Sequence, residues 1–181
     1  MADESADGTR PETAPAGNGS DASAQQSQTP SMPMVIRGQY IKDLSFENPG
    51  APQSLAGLTE APDVQLDVNV NARQLSASDY EVTLALNATA RSGQQPLFVA
   101  ELVYAGVFTF NNLPPEHLQP MLLIEAPRQL FPFARNIIAD TTRDGGFPPL
   151  MVQPLDFVAL YQQRLQQQEP DAAAPATAPQ A

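Results

Sequence analysis

The sequence predicts an α+β fold: a four-stranded antiparallel sheet followed by three helices. Period-two alternation of apolar and polar residues is confined to the part before about residue 110, and helical spacing to the part after it. Strands and helices segregated in this way make a sheet of sequential neighbours with a helical layer, not a wound parallel sheet. A third observation bounds the folding unit. From Ala2 to Ser31 there is no Ile, Leu, Val, Phe, Met or Tyr, and the last residues, Gln168 to Ala181, read QEPDAAAPATAPQA. Neither end can bury enough apolar surface to offset the entropy of ordering it. The expected organisation is an acidic disordered tail over 1–33, one domain over 34–167, and a second disordered tail over 168–181.

The first strand is expected within MVIRGQYIKDLSFE, where Ile36, Tyr40, Leu44 and Phe46 share a parity. Lys42 interrupts it, which predicts an irregular or edge strand. Asn48 to Pro62 holds three prolines and two glycines and reads as a long loop. In the second strand Val64, Leu66, Val68 and Val70 alternate with polar residues. A turn near 77–79 leads to a third, in which Tyr80, Val82, Leu84, Leu86, Ala88 and Ala90 alternate likewise. Such strands have one face in a core and one in water. The fourth, about Leu97 to Phe110, is apolar on both faces, with Glu101 its only charge. Its second face needs a cover: another subunit, a helix layer or a ligand.

Pro114-Pro115 opens a short helix with Leu118, Met121, Leu122 and Glu125 at helical spacing; Pro120 bends it or marks its true start. Pro127 starts a second helix, with Leu130, Phe133, Ala134, Ile137 and Ile138 as its apolar face and Arg143 then Gly145-Gly146 as its stop. Asp156 caps a third, whose apolar side is Phe157, Leu160, Tyr161 and Leu165.

Charge and composition narrow the function classes. The formal net charge is −11, and the tails hold seven acids against one Arg. So acidic a chain suits neither nucleic acid nor an anionic membrane surface. Residues 1–30 lack the basic start and apolar run of a secretory signal, and no stretch approaches a spanning helix, so a cytoplasmic protein is expected. There is no Cys and one His. Zinc sites of the usual composition are thereby excluded, and His117, in PPEHLQ, reads as an ordinary surface residue. No phosphate-cradling glycine loop or nucleophile elbow is present. No enzyme and no cofactor are expected.

Binding remains. Asp67, Asp79 and Glu81 fall at polar-facing or turn positions and read as solvated. Glu101 marks either a rim or a contact for a cation. Asp43 and Glu47 share the parity opposite to Ile36, Tyr40 and Leu44, and would form an acidic edge with Glu101 if the first and last strands are neighbours. The apolar surplus of the fourth strand reads as a subunit interface or a ligand groove.

Over about Tyr40 to Gln168 the chain resembles the SecB protein-export chaperones. The resemblance is carried by YIKDLSFENPGAP (40–52), DVQLDV (63–68), LFVAELVYAGVF (97–108), LFPFAR (130–135) and GFPPL…PLDFVALYQQRLQQQ (146–168). It implies a dimer-of-dimers homotetramer that keeps unfolded precursors translocation-competent in the cytoplasm, uses no nucleotide or metal, and passes clients to the translocation ATPase SecA. It places SecA binding on Asp43, Glu47, Val99 and Glu101. It places client binding on Phe98, Ala100, Leu102 and Tyr104 of the fourth strand and on Tyr161 and Leu165 of the last helix, with the loop at 53–60 covering part of that groove. Two departures touch the groove: there is no Trp near Glu60, and Ala100 stands where a Cys can occur. Within the same fold the alternative is a chaperone dedicated to a toxin–antitoxin pair; outside it, a structural subunit whose apolar strand serves assembly alone.

Overall fold

The computed structural model describes residues 34–56 and 62–168. The expected tails over 1–33 and beyond Gln168 lie outside those residues, as do residues 57–61 of the first loop. Four strands, β1 (Met34–Glu47), β2 (Asp63–Gln74), β3 (Asp79–Ser92) and β4 (Gln95–Phe110), form one sheet in the order β1-β4-β3-β2. Every neighbouring pair is antiparallel. The two hairpins follow chain order, and β1 returns beside β4.

Helices α1 (Pro115–Pro120), α2 (Ala126–Asp144) and α3 (Phe157–Gln168) follow. One face of the sheet packs under this layer. Leu84, Leu86, Leu102 and Phe108 from the strands are fully buried with Leu130, Ile138 and Phe157 from the helices. The alternation that marked β2 and β3 is that face: Val64, Leu66, Val68 and Val70 lie opposite Ala90, Ala88, Leu86 and Leu84. Asp156 caps α3 as expected, its Oδ1 accepting from the amides of Val158 and Ala159 at 3.0 and 3.1 Å.

Three local expectations are corrected. First, α1 and α2 are parts of one helical run, joined by a π turn over Met121–Glu125. Pro127 has no N–H to give the Leu123 carbonyl. The backbone widens instead, and the Ala126 amide bonds the Met121 carbonyl five residues back. Second, Phe133 does not join the buried stripe of α2. It is 51% exposed and stacks on Tyr104, while Phe131 turns inward against Phe157. Third, Tyr40 does not share a face with Ile36 and Leu44. The register slips between Ile36 and Gly38 and again between Ile41 and Asp43. Each extra residue reverses the parity. Met34, Ile36, Gln39, Ile41, Leu44 and Phe46 therefore oppose the helix-facing residues of β4, and Tyr40 opposes Ala105 on the other side.

The sheet order accounts for the two-faced apolar character of β4. It is a central strand, flanked by β1 and β3. Central strands are shielded on both faces by their neighbours' side chains. On the open face Val99, Val103 and Val107 are half-buried and Ala105 is fully buried.

Candidate functional site

The open face of the sheet is built row by row across the strands. One row runs Asp67, Asn87, Glu101, Ser45; the row beside it runs Gln65, Thr89, Val99, Glu47. On the other side Asn69, Ala85, Val103 and Asp43 align. Asp43, Glu47, Val99 and Glu101 thus lie on one face of two adjacent strands. Glu47 sits directly opposite Val99, and Ser45, between Asp43 and Glu47, sits opposite Glu101 and donates to its Oε2 at 3.4 Å. The condition on which the acidic edge depended, β1 beside β4, is met. All three carboxylates are exposed and none is in an ion pair among the described residues.

At the other end of the same face the acids are compensated. Glu81 was expected in solvent; it is 5% exposed. The Tyr40 hydroxyl donates to its Oε1, while Lys42 Nζ and Arg73 Nη2 stand 2.8 and 3.2 Å from its Oε2. Lys42 and Tyr40 come from β1 and Arg73 from β2, so one carboxylate of β3 gathers both edge strands. The Lys42 and Tyr40 bonds hold the Glu81 carboxyl below its ordinary range and outweigh burial, while the same bond raises the Tyr40 phenol. Asp79 is also lowered, by the hydroxyls of Thr109 and Ser76. Thr109 Oγ1 in turn accepts from Arg37 Nε at 2.8 Å. Nothing in the alternation of β3 distinguishes Glu81 from Thr83 or Asn87; Tyr40 and Lys42 cover it because of the two slips in β1, and Arg73 stands opposite it on β2.

The expected client residues separate into two groups. Phe98, Ala100, Leu102 and Tyr104 face the helices and are 3%, 0%, 0% and 7% exposed. Phe98 packs with Phe46 and Phe147, and Tyr104 lies against Phe133 with its hydroxyl donating to Gln39. They are wall residues of the core in the single chain. Tyr161 and Leu165 are accessible. Tyr161 lines a cleft of about 440 Å³ between the free edge of β2, the π turn and α3. Val68, Val70, Leu123 and Leu160 give the cleft apolar walls; Asn69, Asn71 and Gln163 give it polar ones. The strand edge at this cleft could not be read from the sequence, because alternation is silent on strand order. His117 is exposed, and no group of three or more metal-ligating side chains converges among the described residues. No helix of those residues is long and apolar enough to cross a membrane.

Strand edges, a charged sheet face and a half-open cleft are the features of a binding scaffold and not of a catalytic centre. The sequence pattern of the family described as "Preprotein translocase subunit SecB" matches residues 25–168. The chain is 53% identical over 151 residues to the protein-export protein SecB of Bradyrhizobium sp. strain BTAi1, covering 83% of this chain and 92% of that one. With the SecB of Parvibaculum lavamentivorans it shares 51% over 160 residues, 88% of this chain and 94% of that one. A solved SecB-like chaperone of Mycobacterium tuberculosis, in complex with a peptide from an antitoxin, superposes with a TM-score of 0.57 at 18% identity, over 67% of this chain and 90% of the other. The protein belongs to the SecB family. It is a protein-export chaperone, and the family is one of chaperones, not of enzymes.

Proposed function

We propose that the protein is a homotetrameric, ATP-independent holdase of the cytoplasm that binds unfolded secretory precursors, catalyses nothing, needs no cofactor, and delivers its clients to SecA. The observation that carries the client half of this reading is the cleft along β2. An extended segment laid there would bury apolar surface against Val68, Val70, Leu160 and Tyr161, at about 25 cal/mol per Å², and would meet an edge strand able to add backbone hydrogen bonds. Leu165, one turn beyond Tyr161 on α3, extends the apolar path. Phe98, Ala100, Leu102 and Tyr104 form the inner wall of the same layer, and a client reaches them when α2 or the Phe147 segment moves. Folded proteins are rejected because their apolar segments are already internal. Many weak contacts along one long chain supply avidity.

The partner half rests on Asp43, Glu47 and Glu101 clustered around Val99. Carboxylates on a flat face favour encounter with a basic surface and act mainly through on-rate. Identity near one half to protein-export relatives favours this reading over a toxin–antitoxin chaperone.

The purified protein is expected to suppress aggregation of a urea-unfolded secretory precursor without nucleotide, measured by light scattering. Glu101→Lys, or Asp43→Lys with Glu47→Lys, is expected to weaken SecA binding about tenfold or more at low salt while client holding persists. An unchanged SecA affinity would remove the patch assignment; failure to hold any unfolded precursor would remove the chaperone reading itself.

A further inference from the structure

Ile41 and Leu44 both lie on the helix side of β1, opposite Tyr104 and Leu102 of β4. They are three residues apart in sequence, and their partners on β4 are two apart. Period-two pleating cannot place both on one side without one extra residue between them. Lys42 and Asp43 are the two residues that could be extra. In the observed register Ile41 pairs with Tyr104 and Asp43 with Val103, so the bulged residue is Lys42. Asp43 then runs in step with Ser45 opposite Glu101 and Glu47 opposite Val99. Were Asp43 the extra residue instead, Lys42 would stand opposite Val103 and the carboxylate would leave that line. The pairings of Ile41 and Leu44 would be the same in both cases, so apolar packing is indifferent to the choice.

Charge is not indifferent. Lys42 Nζ lies 2.8 Å from Glu81 Oε2, and the Tyr40 hydroxyl donates to Glu81 Oε1. Both contacts reach from β1 to β3 across β4. Arg73 Nη2 holds the same carboxylate from β2 at 3.2 Å. A buried carboxylate here attracts a lysine to the bulge and repels an aspartate. Resting on the reading of Asp43, Glu47 and Glu101 as the SecA-facing patch, we propose that Glu81 is a positioning residue for that patch: by holding Lys42 as the extra residue of β1, it fixes Asp43 in line with Glu47 and Glu101. Glu81 itself is too buried to meet a docking surface. Lys42 acts through placement and against its own charge, since a cation beside the patch repels a basic partner.

The test measures SecA binding to full-chain variants at low salt. By electrostatics alone, Lys42→Gln removes a repelling charge and tightens docking. By positioning, it weakens SecA binding about threefold, while Lys42→Arg, which keeps the ion pair, stays near the wild type. The loss vanishes in an Asp43→Asn background, where no carboxylate remains to be placed, and persists in a Glu101→Gln background. Tighter or unchanged binding by Lys42→Gln, or an equal loss with and without Asp43, overturns the inference. Holding of an unfolded precursor, measured on the same preparations, is expected to be unaffected; a parallel loss of holding would assign Lys42 to folding and overturn the inference as well. Glu101→Lys tests the patch separately. If it leaves SecA affinity unchanged, the patch reading fails and the inference with it; if it weakens binding and Lys42→Gln does not, the inference alone fails.

Discussion

Glu81 is the residue on which the open face turns. Its carboxylate lies between Lys42 and Tyr40 of β1 and Arg73 of β2, so its charge state is coupled to both edges of the sheet. Because its folded pKa is lowered, its contribution to stability is fully present above the ordinary glutamic range near ~4.3. It is lost as pH falls through the depressed folded value. Asp79 acts in the same sense. Tyr40, raised in the fold, contributes below the ordinary phenol range and loses that contribution as pH climbs through its raised value. The cations that meet Glu81 are exposed, so solvent discounts their share; the buried carboxylate and its hydrogen bonds carry most of the effect. Glu81→Gln is expected to cost about 1–3 kcal/mol at pH 7, and to flatten the loss of stability between pH 5 and pH 3, in urea titrations at each pH. An acid limb as steep as in the wild type would assign it to other carboxylates. This residue was illegible in the sequence for a definite reason. Arg73 stands opposite it in register on β2, but Tyr40 and Lys42 face it because of the two slips in β1, and a bulge changes a side chain's face without changing any pattern that alternation can register.

At the scale of elements, legibility followed how local the cause is. β2 and β3 were readable because each alternates against water on one side. The cap at Asp156 was readable because its partners are two and three residues away. β1 was half readable: Lys42 announced an irregular edge strand, but the two slips moved Tyr40 outward and brought Ile41 to the helix side. The π turn depends on how a missing amide at Pro127 is accommodated, which composition leaves open. The contact of β4 with α2 was not readable at all. A Cβ at Gly106 would stand 2.8 Å from Phe108 Cε2 and 2.9 Å from Leu130 Cδ2, so the glycine sets how closely the helix approaches the sheet. Gly106→Ala must shift both neighbours in a filled core and is expected to cost about 1–3 kcal/mol. Gly38, on β1, has nothing within 4 Å of the same added atom. Gly38→Ala is expected to be neutral or to stabilise by up to ~1 kcal/mol through the unfolded chain. Thermal unfolding of the two variants side by side checks the contrast; equal shifts would mean that the α2–β4 approach is not what glycine protects.

At the scale of the whole molecule, the described residues leave two strand edges, β1 and β2, with different chemistry. The β2 edge borders the cleft it shares with α3. The β1 edge is a 14-residue strand with no neighbouring strand on its outer side among the described residues, and its helix-side residues Ile36, Ile41 and Leu44 are 40–48% exposed. Phe133 adds a further exposed ring on α2. A long edge with a row of exposed apolar groups invites pairing with another strand, and a protein that must stay soluble covers it. A second copy of the same chain offers an equal edge and the same apolar row, so pairing of the two β1 strands would join two sheets into one. On the proposed tetramer, β1 would then be one subunit contact, and the proposed client cleft would lie on the opposite edge of the sheet. Ile41→Lys, placing a charge in the middle of that row, is expected to lower the mass measured by light scattering at micromolar concentration from the tetramer to a smaller species. Leu165→Lys, on the cleft side, is expected to leave the mass unchanged and to weaken holding of unfolded precursor. If Ile41→Lys remained tetrameric, the β1 edge would not be the assembly contact, and the apolar row on β1 would become a second surface for clients.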